Sequence, residues 1–337
     1  MKATITSPMT GKPMALCREP RTLTFRKEEC PIIYHFYKDS DGEQYTEAET
    51  DEVNINQVYN QYRDKYNLPF PDEIKAVRGQ YGLSAAKMSE VLGFGTNVWR
   101  SYEAGVVPSE SNARLIQLVQ DPRRMRELVE LNEQLAEREG KRILHGIEAM
   151  LSKPKPLVSE MFVQDYLMGG RLPDKTTGYR RPNLARMTEM IVFFTAKKKP
   201  FKTVMNKLLF YADFLHFKRT CYSISGARYR AIQMGPVPMR FDALFDHVAT
   251  QDDVALVQTE LAEGRIGSQF EPYEGRQFNA ELFSGEEIQT LKDVAERFEK
   301  STSTQMIKLS HEEDAWREKE VAHEVMDYTK AFDLKAI

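Results

Sequence analysis

Cysteine is scarce in this chain. Cys17, Cys30 and Cys221 are the only three, odd in number and unclustered. That excludes a disulfide framework and fits reduced thiols in a cytoplasmic protein. Long hydrophobic runs are missing as well. No apolar stretch reaches the ~18 residues that a membrane span needs, and the opening Met1-Lys2-Ala3-Thr4 has no apolar signal core, so neither membrane insertion nor secretion is expected. An excess of charge is the third absence. The 47 Lys and Arg stand against 50 Asp and Glu, a formal charge of −3. A general, charge-driven nucleic-acid binder is thereby excluded, and any DNA contact has to be local and sequence-reading. What is present is 337 residues, 41% hydrophobic and 10% aromatic. Such a chain fills real cores, is not disordered, and is long enough for two or three domains.

The chain divides by pattern into four segments. Residues 1–66 are rich in Thr, Tyr and turn formers, with short apolar runs at Thr22–Phe25 and Ile32–Tyr37 separated by the turn-like Lys27–Pro31. The strong turn Asp39-Ser40-Asp41-Gly42 follows, and the expectation is a small β unit. From Gln57 the pattern turns helical, with Val58, Tyr62 and Tyr66 on one stripe. Residues 67–140 hold four short helical segments punctuated by Gly82, by Gly93 to Gly95 and by Gly105–Pro108. A charged helix, Pro122 to Glu139, comes next, with Met125, Leu128, Leu131 and Leu135 on a narrow stripe suited to pairing with another helix. Residues 141–183 read as a linker or arm. Between Lys141 and Arg181 eight basic residues oppose four acids, a net of +4. Residues 184–337 are compact and apolar, with helical runs at Leu184–Phe194, Val204–His216 and Phe241–His247, then a charged helical region from Glu286 to Lys330. The fold class expected is mainly α, with a small N-terminal β unit.

The spacing over residues 72–119 is that of a helix-turn-helix. Asp72 caps a helix carrying Ile74 and Val77, Gly82 stops it, and Ser84 caps the next, where Met88, Val91 and Leu92 face inward. The break at Gly93-Phe94-Gly95 leads to a short helix, Thr96–Glu103. Val98 and Tyr102 are expected to face inward, leaving Thr96, Asn97, Arg100 and Ser101 outward. That arrangement suits a recognition helix, because its N-terminal residues reach base edges; Asn pairs with adenine and Arg with guanine. Ser84 and Lys87 are candidates for phosphate contact. The stretches Gly82-Leu83-Ser84, Met88-Ser89-Glu90-Val91-Leu92-Gly93 and Val98-Trp99-Arg100-Ser101-Tyr102-Glu103-Ala104-Gly105 resemble the Xre-type helix-turn-helix. The version most similar is found in antitoxins that place a zinc ribbon in front of it. Asn97 matches that family's Asn, whereas its Arg falls at Ser101, one position beyond Arg100.

In that family two Cys-x-x-Cys knuckles hold zinc in the N-terminal unit. Here Ser7-Pro8-Met9-Thr10-Gly11 and Lys38-Asp39-Ser40-Asp41-Gly42 stand in their places, and all four ligand positions are changed, to Ser7, Thr10, Lys38 and Asp41. A degenerate, metal-free ribbon is therefore expected, held by its own core of Leu23, Phe25, Ile32, Phe36 and Tyr45 or by a partner. An Asp41–Lys38 ion pair is a candidate substitute for the metal.

Several C-terminal clusters invite catalytic readings. His311-Glu312-Glu313-Asp314-Ala315 begins like a zincin helix, but Ala315 stands where the second His is required. Asp213 and His216 are three apart in an apolar helix with no nucleophile pattern beside them, which suits a satisfied buried pair. Gly235-Pro236-Val237-Pro238 reads as a rigid turn without the glycine spacing or lysine of a phosphate loop. Together the run Lys207–His216, then Tyr229, then Met234-Gly235-Pro236-Val237-Pro238, then Leu309-Ser310-His311 and Ala315-Trp316 resemble the Panacea domain of toxin–antitoxin systems over roughly residues 184–330. The resemblance implies a protein-binding module that neutralises a toxin encoded beside it, with relatives acting as adaptors to a protease. Tyr211, Tyr229, Pro236, His311 and Trp316 are the candidate toxin contacts, although the same residues read equally as core.

The reading as a whole is a type II antitoxin that blocks its toxin by occlusion and represses its own operon. Its expected partners are the cognate toxin, operator DNA and a second copy of the chain, the last through the helix Pro122–Glu139. No cofactor, metal or catalytic residue is expected. The alternatives are a transcription regulator or proteolytic adaptor without a toxin, and, from another class, a hydrolase using His311. The segment Glu281–Lys335 carries 14 acids against 8 bases, a net of −6 that suits a basic partner.

Overall fold

A computed structural model describes residues 1–132, 135–152, 158–170, 172–260 and 266–337. The chain forms two compact units, Met1–Val158 and Ser159–Ile337.

The first unit opens with a four-stranded antiparallel sheet: β1 (Thr4–Thr6), β2 (Pro13–Phe25), β3 (Glu28–Lys38) and β4 (Gln44–Tyr45), in that order. The hairpin turn is only Arg26-Lys27, both at positive φ, so the strands run well beyond the two short apolar runs of the sequence. Ile32 and Phe36 are buried as expected, while Tyr45 is exposed. The Ser7–Lys12 and Asp39–Gly42 turns meet. Ser7 Oγ accepts from the backbone N–H groups of Met9 and Thr10, and Asp39 accepts from those of Asp41 and Glu43. Thr10 Oγ1 donates to Asp39 across 3.4 Å, and Asp41 pairs with Lys12, not with Lys38.

Helix α1 (Ala48–Tyr66) begins nine residues before the apolar stripe that announces it, because its buried face is polar. Three amides on that face complete the free edge of β3. Asn54 exchanges hydrogen bonds with the His35 N–H (2.8 Å) and C=O (2.9 Å), Gln57 does the same with Ile33, and Gln61 donates to the Pro31 carbonyl. Residues 54, 57 and 61 recur at helical spacing while 35, 33 and 31 alternate along the strand, so the helix side chains stand in for a missing strand.

Six helices follow among the described residues of the same unit: α2 (Pro71–Tyr81), α3 (Ala85–Val91), α4 (Val98–Glu103), α5 (Glu110–Leu118), α6 (Pro122–Leu131) and α7 (Glu137–Ser152). Left-handed glycines, Gly82 at φ +60° and Gly93 at φ +69°, end α2 and the turn of α3, a conformation glycine adopts without strain. One core joins them, centred on Ile74, Met88, Trp99, Ile116, Met125 and Ile147. The expected single helix Pro122–Glu139 is thus two helices. Its inward residues are Met125 and Val129, with Leu128 packed against the same core, whereas Leu131 is 76% exposed. The stripe is consumed inside the unit, so it is not a helix-pairing seam.

The segment 141–183, read above as an arm, is also built otherwise. It carries most of α7, whose Ile143 and Ile147 enter the first core, and α8 (Val158–Met168) of the second unit. The Lys153-Pro154-Lys155-Pro156 run and Arg171 lie outside the described residues. Thr177 and Tyr179 are buried in the second unit.

That unit is organised around α10 (Lys202–Thr220), which is buried almost all round from Val204 to Phe217. Against it pack α9 (Leu184–Lys198), α12 (Gly285–Arg297), α13 (Ser303–Glu312) and a 3-10 turn, Tyr328–Asp333, while α14 (Asp314–Arg317) packs on α13 and on that turn. Two hairpins interrupt the helices: β5 (Tyr229–Ile232) with β6 (Gly235–Pro238), and β7 (Val254–Glu260) with β8 (Ile266–Pro272), α11 (Phe241–Thr250) lying between them in the chain. Gly235–Pro238, expected as a turn, is therefore a buried strand. No helix among the described residues is long and apolar enough to cross a membrane.

Candidate functional site

Each unit holds one group of the residues singled out by sequence. In the first, Thr96, Asn97 and Arg100 are exposed at the start of α4, with Asn97 in the N-cap position. Ser101 is half-buried and its Oγ donates to the Asn97 carbonyl. Trp99, not Val98, is the deeply buried anchor of α4 beside Tyr102. Its indole N–H donates to Glu103 (2.7 Å), and Glu103 also takes two bonds from the Arg78 guanidinium of α2. Ser89 of α3 accepts from the Trp99 N–H (3.1 Å), fixing the angle between α3 and α4. Ser84 caps α3 by accepting from the Lys87 N–H. The Lys87 ammonium is held between Glu139 of α7 (2.7 Å) and Glu90 (2.6 Å), which raise its pKa. A phosphate would have to displace two carboxylates to reach it.

The sheet is fixed to this helical group at the far end of α4. Arg26 at the β2–β3 turn donates to the carbonyls of Val107 and Pro108, both at 2.9 Å, and buried Arg63 of α1 donates to that of Gly105. Three main-chain carbonyls between α4 and α5 are thereby satisfied by two guanidiniums, which holds the loop behind α4 in one shape.

In the second unit the motif residues sort into two buried hubs. Asp213 of α10 is fully enclosed and accepts four hydrogen bonds, from the N–H groups of Ile224 (2.7 Å) and Ser225 (2.8 Å) and the hydroxyls of Ser225 (2.5 Å) and Tyr229 (2.8 Å). Burial pushes its pKa up against those four donors. Asp213 is therefore not the partner of His216, which instead faces Thr290 and the Arg180–Glu287–Arg186 cluster. Burial and the nearby guanidiniums bring His216 down to about 3, so it is neutral, while Arg180 and Arg186 hold Glu287 below its ordinary value despite its burial.

The other hub lies where α10, the β5–β6 hairpin and the α13–α14 corner meet. Lys207, wholly buried, donates to the Pro236 carbonyl (3.1 Å), and burial brings its pKa down to about 7. Gly235 at φ +95° is packed so closely that a Cβ there would stand 2.5 Å from Ser310 Oγ and 2.7 Å from Lys207 Cε. His311 stacks on Trp316 at 4.0 Å between ring centres, and the Trp316 indole donates to the Ile232 carbonyl (2.9 Å). Burial, then the neighbouring Lys207, lowers His311. Tyr211 donates to Glu313 (3.2 Å), which also accepts from the Lys335 and Ala336 N–H groups and is raised by burial.

Pro236, His311 and Trp316 thus do come together, with Tyr211 reaching the same corner through Glu313. Tyr229 belongs to the Asp213 hub. The side chains of Tyr211 and Tyr229 are entirely inside, and Pro236 and Trp316 nearly so, which corrects their reading as contacts: a buried ring has no face to offer a partner. Only His311 of the five is half-exposed. Sequence reasoning missed Glu313, Ser310 and Ser225 as hub members, and missed the surface apolar groups. Met234 at the hairpin tip and Met161, Phe162 and Tyr166 on α8 are exposed, with Phe162 and Tyr166 stacked and the Arg240 guanidinium over the Tyr166 ring at 4.1 Å. Among the described residues no group of three or more His, Cys, Asp or Glu is placed to hold a metal. No curated protein and no solved structure matches the chain. One family does match, over about a third of the chain and across both hubs: residues 205–317 correspond to the family described as Antitoxin SocA-like, Panacea domain.

Proposed function

We propose that the protein is a cytoplasmic antitoxin of a type II toxin–antitoxin system. Its second unit neutralises a toxin by direct binding, and its first unit represses the operon through an Xre-type helix-turn-helix behind a metal-free ribbon. The observation that carries the reading is the antitoxin-family match over residues 205–317, where the matched motif residues build the buried frame of the unit. Exposed apolar side chains at Met161, Phe162, Tyr166 and Met234 suit a protein partner. The DNA reading is supported by three exposed polar side chains, Thr96, Asn97 and Arg100, at the start of a helix anchored by Trp99. A single short helix reads few bases, so two copies on paired half-sites are expected to supply the affinity. Neutralisation requires no chemistry, and the buried Lys207 and Ser310 lie sealed under Gly235, which favours occlusion over a hydrolase.

Co-expression tests the first part. A neighbouring gene that arrests growth alone and is silenced by this chain supports the antitoxin. A neighbour harmless on its own refutes it and leaves a DNA-reading regulator. For the second part, Asn97→Ala and Arg100→Ala are expected to weaken binding to the chain's own promoter by about tenfold each, at ~1–3 kcal/mol per base contact. Unchanged promoter affinity in both variants removes α4 from the DNA.

A further inference from the structure

Among the described residues, the edges of β3 and β2 are protected in different ways. Helix α1 covers β3 with amides. On β2 the ladder turns Arg18, Pro20, Thr22 and Thr24 outward, and Pro20 has no N–H to offer. The β7–β8 hairpin is handled differently. The outer edge of β8 is occupied, since the Phe270 N–H donates to the Pro200 carbonyl (2.9 Å) and the Gln269 side chain to that of Lys199. The register Leu256↔Phe270 then directs the backbone groups of Ala255, Val257 and Thr259 toward β8, and those of Val254, Leu256, Gln258 and Glu260 away from it. The N–H and C=O of Leu256 and Gln258 meet no partner among the described residues. The strand Val-Ala-Leu-Val-Gln-Thr-Glu contains no Pro, Lys or Arg to blunt that edge. At its middle Val257 lies on the solvent face, 45% exposed.

We propose that β7 pairs antiparallel with β7 of a second copy of this chain, making one four-stranded sheet about a two-fold axis at Val257. The edge is complementary to itself. With the axis there, Leu256 of each copy lies opposite Gln258 of the other, and each such pair exchanges two main-chain hydrogen bonds. Val257 meets its own counterpart in the close, non-hydrogen-bonded position, where β-branched side chains pack well. Glu260, the one charge on the strand, falls opposite Val254, so no like charges oppose. The inference goes beyond the toxin- and DNA-binding reading and does not depend on it.

The test is the mass of the full chain in solution, by sedimentation equilibrium or light scattering. The wild type is expected to be dimeric. Gln258→Pro removes an outward N–H without touching the β7–β8 ladder, and is expected to weaken the dimer about tenfold or more. Val257→Lys and Val257→Glu alone place like charges opposite each other and do the same, while an equal mixture of the two recovers the dimer as a mixed pair. Far-ultraviolet circular dichroism unchanged in each variant keeps the comparison to folded protein. A wild type that stays monomeric at high micromolar concentration overturns the proposal. So does a dimer indifferent to Gln258→Pro, or a failure of the mixed charge variants to pair, which would leave the edge to a strand of a different protein.

Discussion

Replacing Lys207 with methionine is expected to stabilise the second unit, and by an amount that depends on pH in one direction only. The ammonium is enclosed by α10, β6 and α13 and has a carbonyl but no carboxylate to pair with; burial brings its pKa from 10.5 to about 7. The unfolded chain therefore binds the extra proton between pH 7 and 10.5, and the folded chain does not. Stability of the wild type rises across that window at about 1.4 kcal/mol per pH unit, reaching its full value only above pH 10.5. At pH 7 the accumulated cost is of the order of 5 kcal/mol. Methionine keeps most of the aliphatic length and carries no proton, at the loss of one hydrogen bond to Pro236, about 1 kcal/mol. Lys207→Met is thus expected to be more stable than wild type by roughly 3–4 kcal/mol at pH 7 and to lose that advantage by pH 10. The assay is urea unfolding between pH 7 and 10, followed by Trp316 fluorescence in a Trp99→Phe background so that only the second unit reports. Wild type and variant changing in parallel across the window would refute the reasoning, because it would mean that the lysine is solvated or paired.

Three further substitutions test individual contacts. Gly235→Ala combines a backbone at φ +95° with a Cβ 2.5 Å from Ser310 Oγ, and is expected to cost about 3 kcal/mol in urea unfolding, whereas alanine at exposed Gly146 costs nothing. Asn54→Ala removes both side-chain hydrogen bonds to the His35 main chain at the strand edge and is expected to cost about 2 kcal/mol in the first unit, with faster amide exchange confined to β3 and its neighbours. Asp213→Ala strands four donors at once; a loss of about 3 kcal/mol or more is expected, and a near-neutral result would show that the hub is not what ties α10 to Ser223–Tyr229.

The first unit was legible where local chemistry decides structure. Ser84 caps α3 as read and Gly82 and Gly93 take the left-handed conformation, whereas α2 starts at Pro71 with Phe70, not Asp72, in the N-cap position. Where a tertiary partner decides, periodicity misled. The buried face of α1 is Asn54, Gln57 and Asn60 as much as Val53 and Val58, and no apolar stripe announces a helix that caps a strand edge through amides. Between Leu131 and Glu137 no glycine or proline marks the break, so α6 and α7 read as one helix, and Leu131 was assigned inward. Trp99 was overlooked because the adjacent Val98 reads as the inward residue of α4; the Glu103–Arg78 pair receives its indole N–H inside the unit.

The motif of the second unit reads both as candidate contacts and as core, and the structure places Tyr211, Tyr229, Pro236 and Trp316 in the core. Lys207 and Asp213 each make a buried bond that joins α10 to a distant segment, Lys207 to Pro236 and Asp213 to Ser225 and Tyr229, while Trp316 ties α14 to Ile232 of β5. Such residues are held by their enclosure and cannot also discriminate among partners, since any partner would meet none of their atoms. On the proposed antitoxin reading, specificity for a toxin would be carried by exposed positions that the frame presents, among them Gln233 and Met234 at the hairpin tip, the open side of His311, and Phe162 and Tyr166 on α8. The frame and the reader are thus different residues. Met234→Ala or Phe162→Ala is accordingly expected to reduce toxin affinity without changing the stability of the unit, and the buried Tyr229→Phe to reduce stability while leaving the contact surface intact.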